Sequence, residues 1–185
     1  MKTFAALALI LLALGCGKKE ERAEKPEPTY KNISISQWAR QCLDQDRETR
    51  DRAIIALAEF HISSRQGHIE KILEPAIQSP EATKDMSDAE RGALISLAQW
   101  LTRRAPETEE IPLLFAAVKE RTDVFDPWWH VASFAEMALR GMRSESDQKK
   151  IAETARELME SGVAVDRMKN ILRDQSPTPQ PAPSN

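Results

Sequence analysis

Few residues of this 185-residue chain have the type and spacing that chemistry requires. Its two cysteines are Cys16 and Cys42, and a thiol reacts only where it is reachable and able to ionise. Cys16 stands at the junction of an apolar run and a charged stretch, open to modification. Cys42 falls on the helical face that carries Ile35, Trp38 and Ala39 and reads as a buried core residue. His61 and His68 are seven residues apart with an expected helix break at Gly67 between them, so they do not clearly share a face as a metal pair would. The acidic pairs Glu109-Glu110 and Glu157/Glu160 are accounted for by solvated helix faces and N-terminal turns. No Gly-x-Ser-x-Gly, phosphate-binding glycine loop, His-Glu-x-x-His or Cys-x-x-Cys occurs, and each of those chemistries needs its motif. The sequence therefore assigns no catalytic residue, cofactor, metal or small-molecule substrate. What remains is Trp128 and Trp129, which open a helix about 100° apart. Both are buried only if that helix is covered on a wide arc. They are the candidate partner contacts, since aromatic residues concentrate in interface cores, with packing between helices as the alternative.

The residues around Cys16 have the layout of a secretory signal. Lys2 is the positive start, Phe4 to Leu14 is an unbroken apolar run, and small Gly15 precedes the cysteine. The run is eleven residues long, whereas a membrane-spanning helix needs about 20, and the chain continues as Lys18, Lys19, Glu20 and Glu21. A cleaved signal over residues 1–15 is expected. Ala13-Leu14-Gly15-Cys16 resembles the lipobox of bacterial lipoproteins, with Ala13 where that family usually has Leu. The resemblance implies cleavage before Cys16, fatty acylation of its sulfur and amine, and anchoring in a bacterial envelope membrane. Gly17 in place of Asp is similar to lipoproteins sorted to the outer membrane and facing the periplasm. With Cys16 acylated, Cys42 has no intramolecular disulfide partner.

Residues 16–32 then read as the lipidated cysteine and a linker. Gly17 to Thr29 carries no large apolar residue, balanced charges and two prolines, and its thirteen residues reach at most about 45 Å when extended. It is not a polybasic clamp, so attachment falls to the acyl chains, each buried CH₂ worth about 0.8 kcal/mol. The formal net charge of the whole chain is −3, without a basic footprint, which argues against a nucleic-acid partner. Residues 175–185, QSPTPQPAPSN, form a disordered tail with proline at 177, 179, 181 and 183. This composition favours polyproline II, rising about 3.1 Å per residue, but its spacing never makes Pro-x-x-Pro.

The elements that must position any site lie in residues 33–174. Ser34 and Gln37 have capping-box spacing, with Ile33 poised to staple onto Trp38, and a helix to about Leu43 follows. Asp46 caps a second helix through Ala53, Ile54, Leu57 and Phe60. His68 to Gln78 reads as a helix bent or broken at Pro75, and SPEATKDM as loop. Ser87 and Glu90 make another capping box before a helix from Asp88 to about Arg103 that aligns Ala93, Leu94, Leu97 and Trp100. Glu109 to Arg121 is amphipathic, with Thr108 as its cap. Asp126-Pro127 is an N-cap and N1 pair for a helix ending at Gly141. Helices over Glu145 to Glu160, after Ser144, and about Val165 to Arg173, after Gly162, close the domain.

Leu43 to Phe60, LDQDRETRDRAIIALAEF, resembles the HEAT repeat through Leu43, Asp44, Arg50, Ala53, Ala56 and Leu57. Ala93 lies 40 residues after Ala53, and Ala132 lies 39 after Ala93, a period that fits HEAT arrays. At the Arg50 position the later pairs carry Glu90 and Trp129. The expected fold is all-α, antiparallel helical hairpins stacked as a short HEAT-like α-solenoid. Such arrays recognise partners through extended surfaces, so the expected function is a periplasmic scaffold or assembly factor meeting an envelope protein or peptide. The alternatives are a peptidoglycan-active enzyme using one acidic residue, and a spacer without a specific partner.

Overall fold

The computed structural model describes residues 26–60, 66–102, 104–120 and 125–175. Among these residues the fold is all-α apart from one two-stranded ribbon, β1 (Thr29–Tyr30) and β2 (Ile33–Ser34), paired antiparallel with Tyr30 opposite Ile33. The helices are α1 (Ile35–Gln41), α2 (Arg47–Glu59), α3 (Gln66–Gln78), α4 (Pro80–Thr83), α5 (Asp88–Thr102), α6 (Ile111–Glu120), α7 (Trp129–Gly141), α8 (Glu145–Glu160) and α9 (Val165–Gln175). They pack as successive hairpins, α1 on α2, α3 on α5, α6 on α7 and α8 on α9. Neighbouring hairpins are joined where α1 meets α3, α5 meets α6 and α7, and α7 meets α9. Helix α2 also reaches α7, two hairpins along, where a simple linear stack would touch only its neighbours.

Local chemistry starts most of these helices. Ser34, Asp46 and Ser144 accept hydrogen bonds from the backbone N–H groups of Gln37, Thr49 and Asp147, satisfying donors that a helix N-terminus leaves free. At α5 the box is reciprocal: Glu90 N–H donates to Ser87 Oγ at 3.2 Å and Ser87 N–H donates to Glu90 Oε2 at 2.7 Å. After α8, Gly162 at φ +75 lets its own N–H reach Met159 O, while the N–H of Val163 reaches Leu158 O. That left-handed residue stops the helix and turns the chain into α9.

Several boundaries differ from the sequence reading. Order extends N-terminal to Ile33: Lys31 and Asn32 take positive φ values of 52° and 64°, the geometry of a tight hairpin turn. Tyr30 packs against the core, its OH donates to Glu59 Oε2 at 2.7 Å, and Trp38 Nε1–H donates to Tyr30 O at 3.0 Å. Residues 27–32 therefore belong to the folded body, not to the linker assigned to 16–32. Pro75 lies inside α3, which continues past it, and SPEATKDM contains the short α4 behind the Ser79 cap. Glu107, not Thr108, forms the box that opens the 3₁₀ turn before α6, with Glu110 returning to it. Helix α7 begins at Trp129, and Gly141 is its last helical residue rather than its C′ glycine. Gln175, the first residue of the tail expected at 175–185, is the last residue of α9, while the rest of that tail and the signal expected at 1–15 lie outside the described residues.

Two apolar clusters fill the interior. The first gathers Trp38, Ile54, Leu57, Leu73, Leu94, Leu97, Trp128 and Phe134, and the second Leu114, Phe115, Val118, Leu139, Ile151, Met168 and Ile171. Helices α5 and α7 contribute to both and form the wall between them.

Candidate functional site

Helices α5 and α7 also shape a cleft of about 290 Å³ on the surface. Residues three and four apart share a helix face, so α5 presents Ser96, Gln99 and Trp100 while α7 presents Phe134, Met137, Ala138 and Gly141. Arg104 to Pro106 close one end. The Trp100 and Phe134 rings lie 4.9 Å apart at an interplanar angle of 44°, a tilted aromatic pair. Met137 is 48% exposed, an apolar side chain left in solvent beside that pair.

One polar group in this wall is incompletely satisfied. Gln99 is only 5% exposed. Its Nε2 donates to Glu110 Oε2 at 2.9 Å, and since an ionised carboxylate only accepts, that bond fixes which end of the amide is which. Gln99 Oε1 is buried without a hydrogen-bond partner. A buried acceptor in that condition costs about 1–3 kcal/mol. Glu110 also accepts from Arg104 Nη2 at 2.6 Å and from Glu107 N–H at 2.9 Å, so charge at the rim is matched internally. The cleft thus has mostly apolar walls with the Ser96 hydroxyl and the Gln99 amide among them, the composition of a recognition site rather than of an acid–base centre. A second cleft, of about 230 Å³, is lined by Glu74, Arg104, Glu107 and Glu110, in which Arg104 again pairs with the last two.

The buried carboxylates elsewhere are committed to structure. Arg50 Nε donates to Glu90 Oε1 at 2.8 Å, with the two side chains 4% and 2% exposed. Arg50 further donates to the carbonyls of Asp44, Gln45 and Asp85. Burial opposes the charged form of Glu90, but the Arg50 bond and the Ser87 donors outweigh it and hold the carboxyl below its usual range. Glu136 takes Arg167 Nη1 at 3.1 Å, and Asp147 accepts from Thr108 Oγ1 at 2.6 Å. Positions 50, 90, 129 and 167 recur once per hairpin, and they join in pairs, Arg50 with Glu90 and Trp129 with Arg167.

Of the two tryptophans singled out by sequence, Trp128 is not on the surface. Asp126 Oδ1 accepts from its N–H at 2.8 Å, which turns the residue inward ahead of the helix, and at 1% exposure it belongs to the first cluster. Trp129 is half-buried, with the Arg167 guanidinium 5.3 Å from its ring centroid and Arg167 Nη2 donating to its carbonyl at 3.1 Å. Only Trp129 remains reachable as a contact, already held by an intramolecular stack. Cys42 is buried in the first cluster, where burial pushes its thiol well above the ordinary value. Cys16 and His61 lie outside the described residues, and so does the side chain of His68. Among the described residues no cluster of His, Cys, Asp and Glu is arranged to hold a metal ion.

Sequence reasoning aligned Trp100 with Ala93, Leu94 and Leu97 on one helix face and passed over Gln99 and Met137. The available signal was Met137, an apolar residue off the α7 stripe of Val131, Phe134, Ala135 and Ala138. Comparison with family models, curated proteins and solved structures finds no match to this chain.

Proposed function

We propose that this protein is a bacterial envelope lipoprotein, anchored through acyl chains on Cys16 at the periplasmic face of the outer membrane, that acts as a non-catalytic interaction module. The α5–α7 groove carries this reading: an aromatic pair, an exposed methionine and one unmatched acceptor favour holding a peptide segment over transforming a substrate. The pairing of Glu90 with Arg50 and of Glu136 with Arg167 supports it as well, because a general acid needs a carboxyl that is protonated and free to give up its proton.

A photo-crosslinking side chain at Met137 of the anchored protein should yield one reproducible envelope adduct that the same group at exposed Glu153 does not. Absence of any adduct would leave a spacer and sink the reading. Murein clearing by the purified chain, lost on Glu136→Gln, would overturn the non-catalytic assignment. Labelling with a palmitate analogue should vanish in Cys16→Ala.

A further inference from the structure

We infer that the α5–α7 groove takes an uncharged, proline-rich segment, and that the chain's own residues 176–185 occupy it in cis; this rests on reading the groove as a docking site. Position comes first. Helix α9 ends at Gln175, and Asp174 is fastened to α7 by Arg140 Nη2 at 2.6 Å. Arg140 adjoins Gly141 and lies within one turn of Met137, both in the groove wall. A chain leaving Asp174 has only to cross α7, about 10–12 Å wide, and ten residues of polyproline II extend about 31 Å.

The chemistry of the segment fits the groove. Proline-rich ligands dock on aromatic-lined grooves because their extended helix is already formed, and Trp100 with Phe134 supplies the platform. Polyproline II has about three residues per turn, so in that conformation Pro177, Gln180 and Pro183 would share one face. That face presents an amide donor between two proline rings, and Gln99 Oε1 is an acceptor that lacks a donor. Residues 176–185 bear no charged side chain. The groove asks for none, since Arg104 is matched by Glu107 at 3.2 Å and Glu110 at 2.6 Å. Docking in cis acts at an effective concentration on the order of millimolar, so any outside segment must displace it.

Methyl NMR of methionine-labelled protein in detergent micelles tests this, comparing the full chain with a variant ending at Gln175. Removal of residues 176–185 should move the Met137 methyl resonance, assigned through Met137→Leu, and leave Met86, Met159 and Met168 in place. A peptide of residues 174–185 should reverse the shift saturably, and its Gln180→Ala version should bind at least about threefold more weakly. If truncation perturbs the other methionines, the full-length Pro177→Asp/Pro183→Asp variant gives the same readout with the chain intact. Superimposable Met137 resonances, a peptide that does not bind, or a shift that follows protein concentration, which would seat a second copy in the groove, each overturns the inference. Crosslinking at Met137 separates the two failures: an envelope adduct equal in full and truncated chains retains the docking site without its cis occupant, whereas no adduct in either removes both.

Discussion

The Arg50–Glu90 pair shows how a charge is kept inside this fold. Every donor-rich edge of the guanidinium meets an acceptor, Glu90 on one side and the carbonyls of Asp44, Gln45 and Asp85 on the others. Glu90→Gln strips the counter-charge and strands Arg50, which should lower stability by about 3–5 kcal/mol in urea denaturation at pH 7. Arg50→Met with Glu90→Leu should lie much closer to the parent, because both desolvation costs go together. The pH dependence follows from the depressed Glu90 carboxyl. Its contribution is fully present above the unfolded value of about 4.3 and is lost as pH falls through the lower folded value. The parent should therefore lose stability on the acid side more steeply than Glu90→Gln, and parallel acid limbs would refute this. At Cys42, with Cys16 acylated or replaced, maleimide should label only at the rate of global unfolding, and rapid native labelling would contradict its burial.

At the scale of elements, α5 and α6 approach at Gly92, where an added Cβ would lie 1.9 Å from Leu113 O and 2.6 Å from Leu113 C. Backbone cannot give way as a side chain can, so Gly92→Ala must push the helices apart. A cost of about 1–3 kcal/mol is expected, read as a fall in Tm of several degrees; an unchanged Tm would deny the close approach. Helix starts were legible wherever the cap is local, at Ser34, Asp46, Ser87 with Glu90, and Ser144. Misreadings arose where a distant partner claimed the capping residue: Thr108 gives its hydroxyl to Asp147, 39 residues on. The β1–β2 ribbon was illegible because its strands are two residues each and its turn lacks the usual Asn-Gly, while Tyr30 is ordered by Trp38 and Glu59. The groove was half legible. Its aromatic residues follow the helical period, but an unmatched amide oxygen depends on which way Glu110 faces, and no sequence pattern records that.

Across the whole molecule, α5 and α7 belong to both apolar clusters, so the first three hairpins are bound into one cooperative unit. The fourth enters the second cluster alone. Helix α8 buries Ile151, Ala152 and Ala155, and the pair docks through α9 onto α7, with Arg167, Arg140 and the Thr108–Asp147 bond as its polar fasteners. Ile171→Ala should cost about 2–5 kcal/mol and speed amide exchange in α8 and α9 well before α1 to α3; uniform acceleration would show a single unit instead. The ribbon at the opposite end has a mechanical meaning. If the N-terminal side is tied to a membrane, tension enters the body near Glu27 and first meets Glu27 on Ser36 N–H, Pro28 O on Ile35 N–H, and the short β1–β2 ladder. Peeling loads such bonds one after another instead of together. The ribbon would then act as a fuse, yielding under modest force and lengthening the tether while α1 and the groove keep their shape.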